Sequence, residues 1–192
     1  SKQDLKDIIK TFGEEEEASK ISTNIIKDRA KYHINTTDQL VNIIKRSKKK
    51  DFQRKIDEST KTFQAIRIFV NKEISELIDG IINATKILKP GGKLIVVSFH
   101  SIEDKIVKFF FTNYSKNKSK ESRYYPEIVN KKILFENYKN IIIKPKETEI
   151  KENAPSRSAK LRFAIRSKDE YFNPVELKKR FEFYLNLENE RV

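Results

Sequence analysis

The 192-residue chain carries 41 Lys+Arg against 28 Asp+Glu, a net charge of +13 that a solvated surface alone does not explain and that favours polyanionic partners, nucleic acid first. It has no cysteine and only two histidines, His33 and His100, which excludes disulfides and thiolate zinc sites and argues against a histidine-based metal centre. The longest strongly apolar run, residues 94–99, is too short to span a bilayer, and no signal peptide or methionine occurs, so Ser1 is not expected to be the translated start and the expectation is a cytoplasmic fragment.

Residues 1–55 read as helical. Leu5, Ile8, Ile9 and Phe12 recur at helical spacing and stop at Gly13. Ile21, Ile25 and Ile26 follow the acidic run 14–17, and Leu40, Val41, Ile43 and Ile44 form a third stripe that Thr37 or Asp38 would cap. Nothing alternates with period two, so a small helical subdomain is expected. Between 45 and 55 stand Lys45, Arg46, Lys48, Lys49, Lys50, Arg54 and Lys55, opposed by Asp51 alone. The cluster reads equally as a solvated helix end or as a phosphate-contacting patch in which Phe52 stacks on a base. A composition biased towards Lys, Ile and Asn throughout is the plainer account of the overall charge.

A long helix is predicted over 62–88, with Phe63, Ile66, Val70, Ile74, Leu77, Ile81 and Leu88 as its apolar stripe and Lys89-Pro90-Gly91-Gly92 as its end. Residues 93–99 follow as a continuous apolar run, the pattern of a central strand covered on both faces, and His100 and Ser101 open a helix over 102–111. This is the rhythm of a parallel α/β sheet. Residues 112–139 are polar and irregular, with Lys116, Lys118, Lys120 and Arg123 before Tyr124 and Tyr125. Strand candidates at 140–144 and 159–166 flank a charged loop holding Pro145 and Pro155. In the tail, Asn173 is expected to cap a helix that has Pro174 first and Glu176 completing a capping box; Leu177, Phe181, Tyr184 and Leu185 form its stripe. No internal repeat is apparent.

Three stretches, in this order and spacing, resemble the bacterial 16S rRNA cytosine-N4-methyltransferase family, often called RsmH or MraW. They are Thr62-Phe-Gln-Ala-Ile-Arg-Ile-Phe-Val-Asn71, Leu88-Lys-Pro-Gly-Gly-Lys-Leu running into Ser98-Phe-His-Ser-Ile-Glu-Asp-Lys-Ile-Val-Lys108, and Ser156-Arg-Ser-Ala-Lys-Leu-Arg162. The Leu-Lys-Pro-Gly-Gly turn is generic to class I methyltransferases; the other elements are more specific. Weaker similarity extends through Phe12-Gly13-Glu14-Glu15 and Ile34-Asn-Thr-Thr37.

The resemblance implies an α/β fold, the C-terminal part of a Rossmann-like methyltransferase with a helical insert. Residues 1–60 would be the substrate-recognition insert, 61–166 the C-terminal part of the methyltransferase domain and 167–192 a helical extension. Residues 93–99 would be the fifth strand, and the two late strands a closing hairpin. The implied activity is methyl transfer from S-adenosylmethionine to a cytosine amine in small-subunit rRNA, free or in the assembled subunit. The first four strands, the glycine-rich cofactor loop, the acidic ribose-binding residue and the amine-positioning Asp-x-Gly-Val-Ser-Ser motif would lie upstream. Glu58 and Ala154-Pro155 depart from the prolines and order usual in the family. The composition agrees that a cofactor loop is missing, because Gly13, Gly80, Gly91 and Gly92 make no glycine-rich turn between a strand and a helix.

Ser98, His100 and Ser101 fall at the carboxyl end of the 93–99 strand, where open α/β sheets bind ligands. They are the candidate active-site neighbours. His100 would contact the base, orient a neighbour or take a proton near neutral pH, or else tie the strand end to backbone. Ser101 with Asp104 reads as an N-cap pair, and Glu103 and Lys105 as solvated. Gln64, Arg67 and Asn71 share one side of the long helix, where a structural role competes with phosphate or base contact. Arg157, Ser158 and Lys160 open the last strand and either face RNA or hold a loop. The RNA-contacting candidates are thus Lys48, Lys49, Lys50, Arg54, Arg67, Asn71, Arg157 and Lys160. Rival readings are a non-catalytic basic RNA-binding protein derived from this fold and a non-functional truncated product.

Overall fold

A computed structural model describes residues 1–49, 57–115, 132–136 and 138–189. Two compact units divide them: 1–75 with 183–192, and 76–182. Among the described residues no helix is long and apolar enough to cross a membrane.

The first unit is helical, as its periodicity predicts. Helix α1 (Lys2–Gly13) packs on α2 (Ala18–Arg29) and α4 (Thr60–Asn71), and α2 packs on α3 (Thr37–Ser47). Ile9, Ala18, Ile21, Ile25, Ile43 and Ile44 make the shared core. Gly13 is required by close approach, since a Cβ there would collide with the Lys61 backbone carbonyl and lie 3.2 Å from the Ala65 Cβ. The cap of α3 falls one residue before the expectation, at Thr36. Its hydroxyl accepts from Gln39 N at 3.3 Å, and Gln39 Oε1 accepts from Thr36 N at 3.1 Å, a reciprocal capping box.

The long helix predicted over 62–88 is two helices. Lys72 adopts a left-handed conformation, φ 52°, between α4 and α5 (Glu73–Ile87). A left-handed residue throws the two stripes out of phase, so Val70 lies exposed while Ile68 and Ile74 are buried. The new helix start is closed from the tail. Helix α9 (Glu182–Asn189) buries the Glu188 carboxylate, which accepts from Ile74 N at 2.8 Å, Ser75 N at 2.9 Å and Ser75 Oγ at 2.5 Å. These are N–H groups that a helix start leaves unpaired and that a negative charge suits.

The second unit holds β1 (Lys93–Ser98), α6 (Ser101–Asn113), α7 (Glu147–Glu152), a 3-10 turn (Ala154–Ser158), β2 (Lys160–Ile165) and α8 (Val175–Arg180). Strand β1 pairs antiparallel with β2, with Ile95 opposite Phe163 and Val96 opposite Arg162, and the ladder extends through Gly91 N to Arg166 O at 2.9 Å. The 140–144 stretch forms no strand; it contributes one bridge, Ile143 to Leu161. Helix α6 covers one face of this pair and also meets α8. Its aromatic side builds the core: Phe135 stands edge-on to Phe110 and Phe111 at 5.3 and 5.1 Å, and Phe109 edge-on to Phe181 at 5.6 Å.

Among the described residues, the strand predicted to be covered on both faces is covered on one. Ile95 is 57% and Val97 48% exposed, and Phe99 and Phe163 are open beside them. Directly opposed residues share a face in an antiparallel pair, so these side chains form one uncovered apolar surface. The tail helix also starts differently. Pro174 itself is the N-cap of α8, with no side-chain cap, so the Asn173–Glu176 box does not form.

Candidate functional site

The carboxyl end of β1 turns into α6 within two residues, Phe99 and His100. His100, rather than Ser101, is the N-cap. Its Nδ1 accepts from Glu103 N at 3.4 Å, and Glu103 Oε2 accepts from Phe99 N at 2.7 Å and His100 N at 3.3 Å. The box is the reciprocal kind, built with a histidine in the serine position. The other ring nitrogen, Nε2, lies 3.4 Å from Glu103 Oε1. Glu103, expected to be solvated, thus fixes the turn. Ser98 is buried and donates to Lys160 O at 3.3 Å, while Ser101 is exposed on the first turn.

Asp104 does not cap the helix. It faces β2, where Arg162 donates to both its oxygens, Nε to Oδ1 at 2.7 Å and NH2 to Oδ2 at 3.2 Å, and Lys160 Nζ donates to Oδ2 at 3.2 Å. Arg162 NH1 reaches Tyr138 OH at 2.9 Å and Asn140 Oδ1 at 2.8 Å. Burial by itself would raise the Asp104 carboxyl, but the hydrogen bonds and charge of Arg162, then those of Lys160, outweigh it and hold it below the ordinary carboxylate range. Burial likewise opposes the charged Arg162 guanidinium, yet its bonds to Asp104 and Tyr138 raise it further.

Arg162 is only 2% exposed and is the largest fully buried side chain among the described residues. The signal for it was present: Lys160, Arg162 and Ala164 fall on one face of a strand, and a cation alternating onto a covered face needs a partner. The partner could not be read from the sequence, because Asp104 lies 58 residues away.

The candidate RNA contacts divide into outward and inward groups. Lys49 and Arg157 are exposed. Lys48 points inward, its side chain 2% exposed, against Glu15 at 2.5 Å and the Glu58 carbonyl. Lys160 is held by Asp104. Arg67 makes a forked pair with Glu73 at 2.8 and 3.0 Å, and Asn71 donates to the same carboxylate at 3.2 Å. Both remain on the surface of the helical unit. Lys50, Arg54 and Phe52 lie outside the described residues, as do Lys116, Lys118, Lys120, Arg123, Tyr124 and Tyr125.

S-adenosylmethionine does not fit the residues present. A backbone cradle for such a ligand needs glycine between a strand and the helix after it. Here the β1–α6 junction has none. Gly13 and Gly80 lie within helices, and Gly91 and Gly92 make the turn that precedes β1.

A family model described as the MraW methylase family matches residues 1–167. The chain is 41% identical over 164 residues to the ribosomal RNA small subunit methyltransferase H of Ehrlichia chaffeensis, covering 85% of this chain and 52% of that protein. It is 43% identical over 165 residues to the protein of the same name from a Sulfurihydrogenibium species, covering 85% and 51%. For the namesake of Sinorhizobium fredii the identity is 40% over 166 residues, covering 85% and 48%. The chain therefore spans about half the length of the curated relatives it matches.

Proposed function

The chain belongs to the MraW methylase family, and from that premise we propose that it is the C-terminal portion of an enzyme that methylates the exocyclic amine of a cytosine in small-subunit rRNA. S-adenosylmethionine would be the methyl donor, held by the half of a Rossmann-like sheet that these residues do not supply. The observation that carries the reading is the junction after β1. The family's Ser98-Phe-His-Ser101 stretch stands there, at the end of a strand whose other apolar face is uncovered. An uncovered face of this kind suits a sheet that continues into further secondary structure.

In this reading the helical unit grips RNA and the β1–α6 junction borders the target base. A cytosine amine is a weak nucleophile, so placing it contributes much of the rate. Ser98, His100 and Ser101 are the candidates beside it. With Nδ1 engaged as a cap, His100 would act through position or through Nε2. Lys49, Lys50, Arg54 and Arg157 would meet phosphates, while Arg67, Asn71 and Lys160 would hold surfaces in shape.

The test is methylation of small-subunit particles with radiolabelled S-adenosylmethionine. One sample holds the chain alone, and another adds the N-terminal half of the Ehrlichia relative. Label on a cytosine amine in the second sample only is expected. No label from a mixture whose two parts fold and associate would refute the proposal.

A further inference from the structure

We propose that a cleft between α2 and the carboxyl end of α3, about 450 Å³ in volume, binds the ribose-phosphate backbone of RNA. The inference rests on the RNA-substrate reading above and gives that reading an address.

Its walls carry Lys20, Arg46, Lys49 and the inward-turned Lys48, and none of the lining residues is acidic. Two nearby carboxylates pair with two of these cations, Lys20 and Arg46. Asp28, buried, accepts from Arg46 NH2 and from Tyr32 OH at 2.5 Å. That contact engages one of the guanidinium nitrogens, and the side chain remains half exposed. Glu17 accepts from Lys20 Nζ at 3.4 Å and from Lys49 N at 3.3 Å, and so ties the start of α2 to the end of α3.

The neutral groups select the sugar. Thr23 Oγ1 already donates to Ser19 O at 2.7 Å, and Asn24 Nδ2 to Ser47 Oγ at 2.8 Å. As acceptors they add the Thr23 hydroxyl lone pairs and the Asn24 carbonyl, beside the second Asn24 N–H. The phosphodiester of a nucleic-acid backbone has no hydrogen to give them. A ribose 2′-hydroxyl has one, and it is absent from DNA. Cations with adjacent acceptors therefore suit a ribonucleotide backbone better than a deoxyribonucleotide backbone.

The experiment measures binding of a short single-stranded RNA, and of the same sequence as DNA, to the whole chain across a salt series. Lys20→Glu, at an exposed site, is expected to weaken RNA binding severalfold and flatten the salt slope by roughly 0.7 or more. Arg46→Lys keeps Asp28 paired and is expected to weaken binding less, and Thr23→Val to narrow the RNA-over-DNA preference. Lys178→Ala, in the other unit, serves as the control and leaves both unchanged. Parent-like affinity and slope in a folded Lys20→Glu protein, or competition by inorganic phosphate that matches RNA, overturns the cleft assignment alone. If the parent chain binds no RNA at about 0.1 M salt, the RNA-substrate reading falls as well.

Discussion

Two basic regions of this molecule put the same residue types to opposite use. In the helical unit, Lys20 and Arg46 pair with Glu17 and Asp28 and still stay exposed, as does Lys49, although Lys48 turns inward to Glu15. In the strand-bearing unit, Arg162 and Arg166 turn inward. Arg162 closes on Asp104, Tyr138 and Asn140, and Arg166 donates to the carbonyls of Leu134 and Ser167, each at 3.1 Å, and of Asp169 at 2.9 Å. A net charge of +13 announces a polyanion partner without saying which cations serve it. The neighbouring carboxylate decides. One that lies under a cation presents it, and one that lies over it hides it.

The sharpest way to break this contrast is Arg162→Leu. It removes the fork on Asp104 and leaves Lys160 as the cation beside that carboxylate, so a loss of up to about 3–5 kcal/mol is expected in denaturant unfolding. Arg162→Lys should restore only part of it, because an ammonium cannot reproduce the fork on Asp104. A variant as stable as the parent would show the pair to be idle.

Glu188→Ala probes an inward acid in the outward-facing unit. It strips α5 of three charge-assisted bonds, and about 1.5–3 kcal/mol is expected to go in the same assay. His100→Ala should lose about 1 kcal/mol by removing the cap of α6, and His100→Asn, a good cap residue, should recover it. If Asn fails to recover stability, the ring does more than cap.

Acid titration tests Asp104 without a large change in packing. Its folded pKa is depressed, so its contribution is complete above the unfolded value, near 4, and is lost as pH falls through the folded value. Thermal midpoints should therefore decline below pH ~4, and Asp104→Asn, less stable at neutral pH, should decline less steeply there. The smallest effect expected is at Lys20→Ala, within about 0.5 kcal/mol of the parent, because the residue is exposed and its pair with Glu17 is long.

Much of the helical unit was legible. Stripes and stop signals at Gly13 and around Thr36 are local, and local signals survive folding. The break at Lys72 was not, since what stabilises the new helix start is Glu188, 114 residues from Ile74. The strand run 93–99 was legible as a strand but not as one with a bare face, because continuous apolarity records what a face can be packed against. At the junction, the residues were found and their roles were not. Histidine is an unusual cap, and its partner Glu103 reads as an ordinary first-turn acid.

The pairing of β1 with β2 also sets a clock. About 60 residues separate the two strands, and a ribosome adding roughly 5–20 residues each second needs on the order of several seconds to deliver the second. Throughout that interval Ile95 and Val97 belong to a strand that still lacks its β2 ladder partner. Long-range pairing of this sort is slow even once the whole chain has emerged, because the intervening loop must close first. The bare face is thus a hazard of birth as much as a feature of the finished fold, and the yield of native protein will depend on what shields those side chains while β2 is still being made.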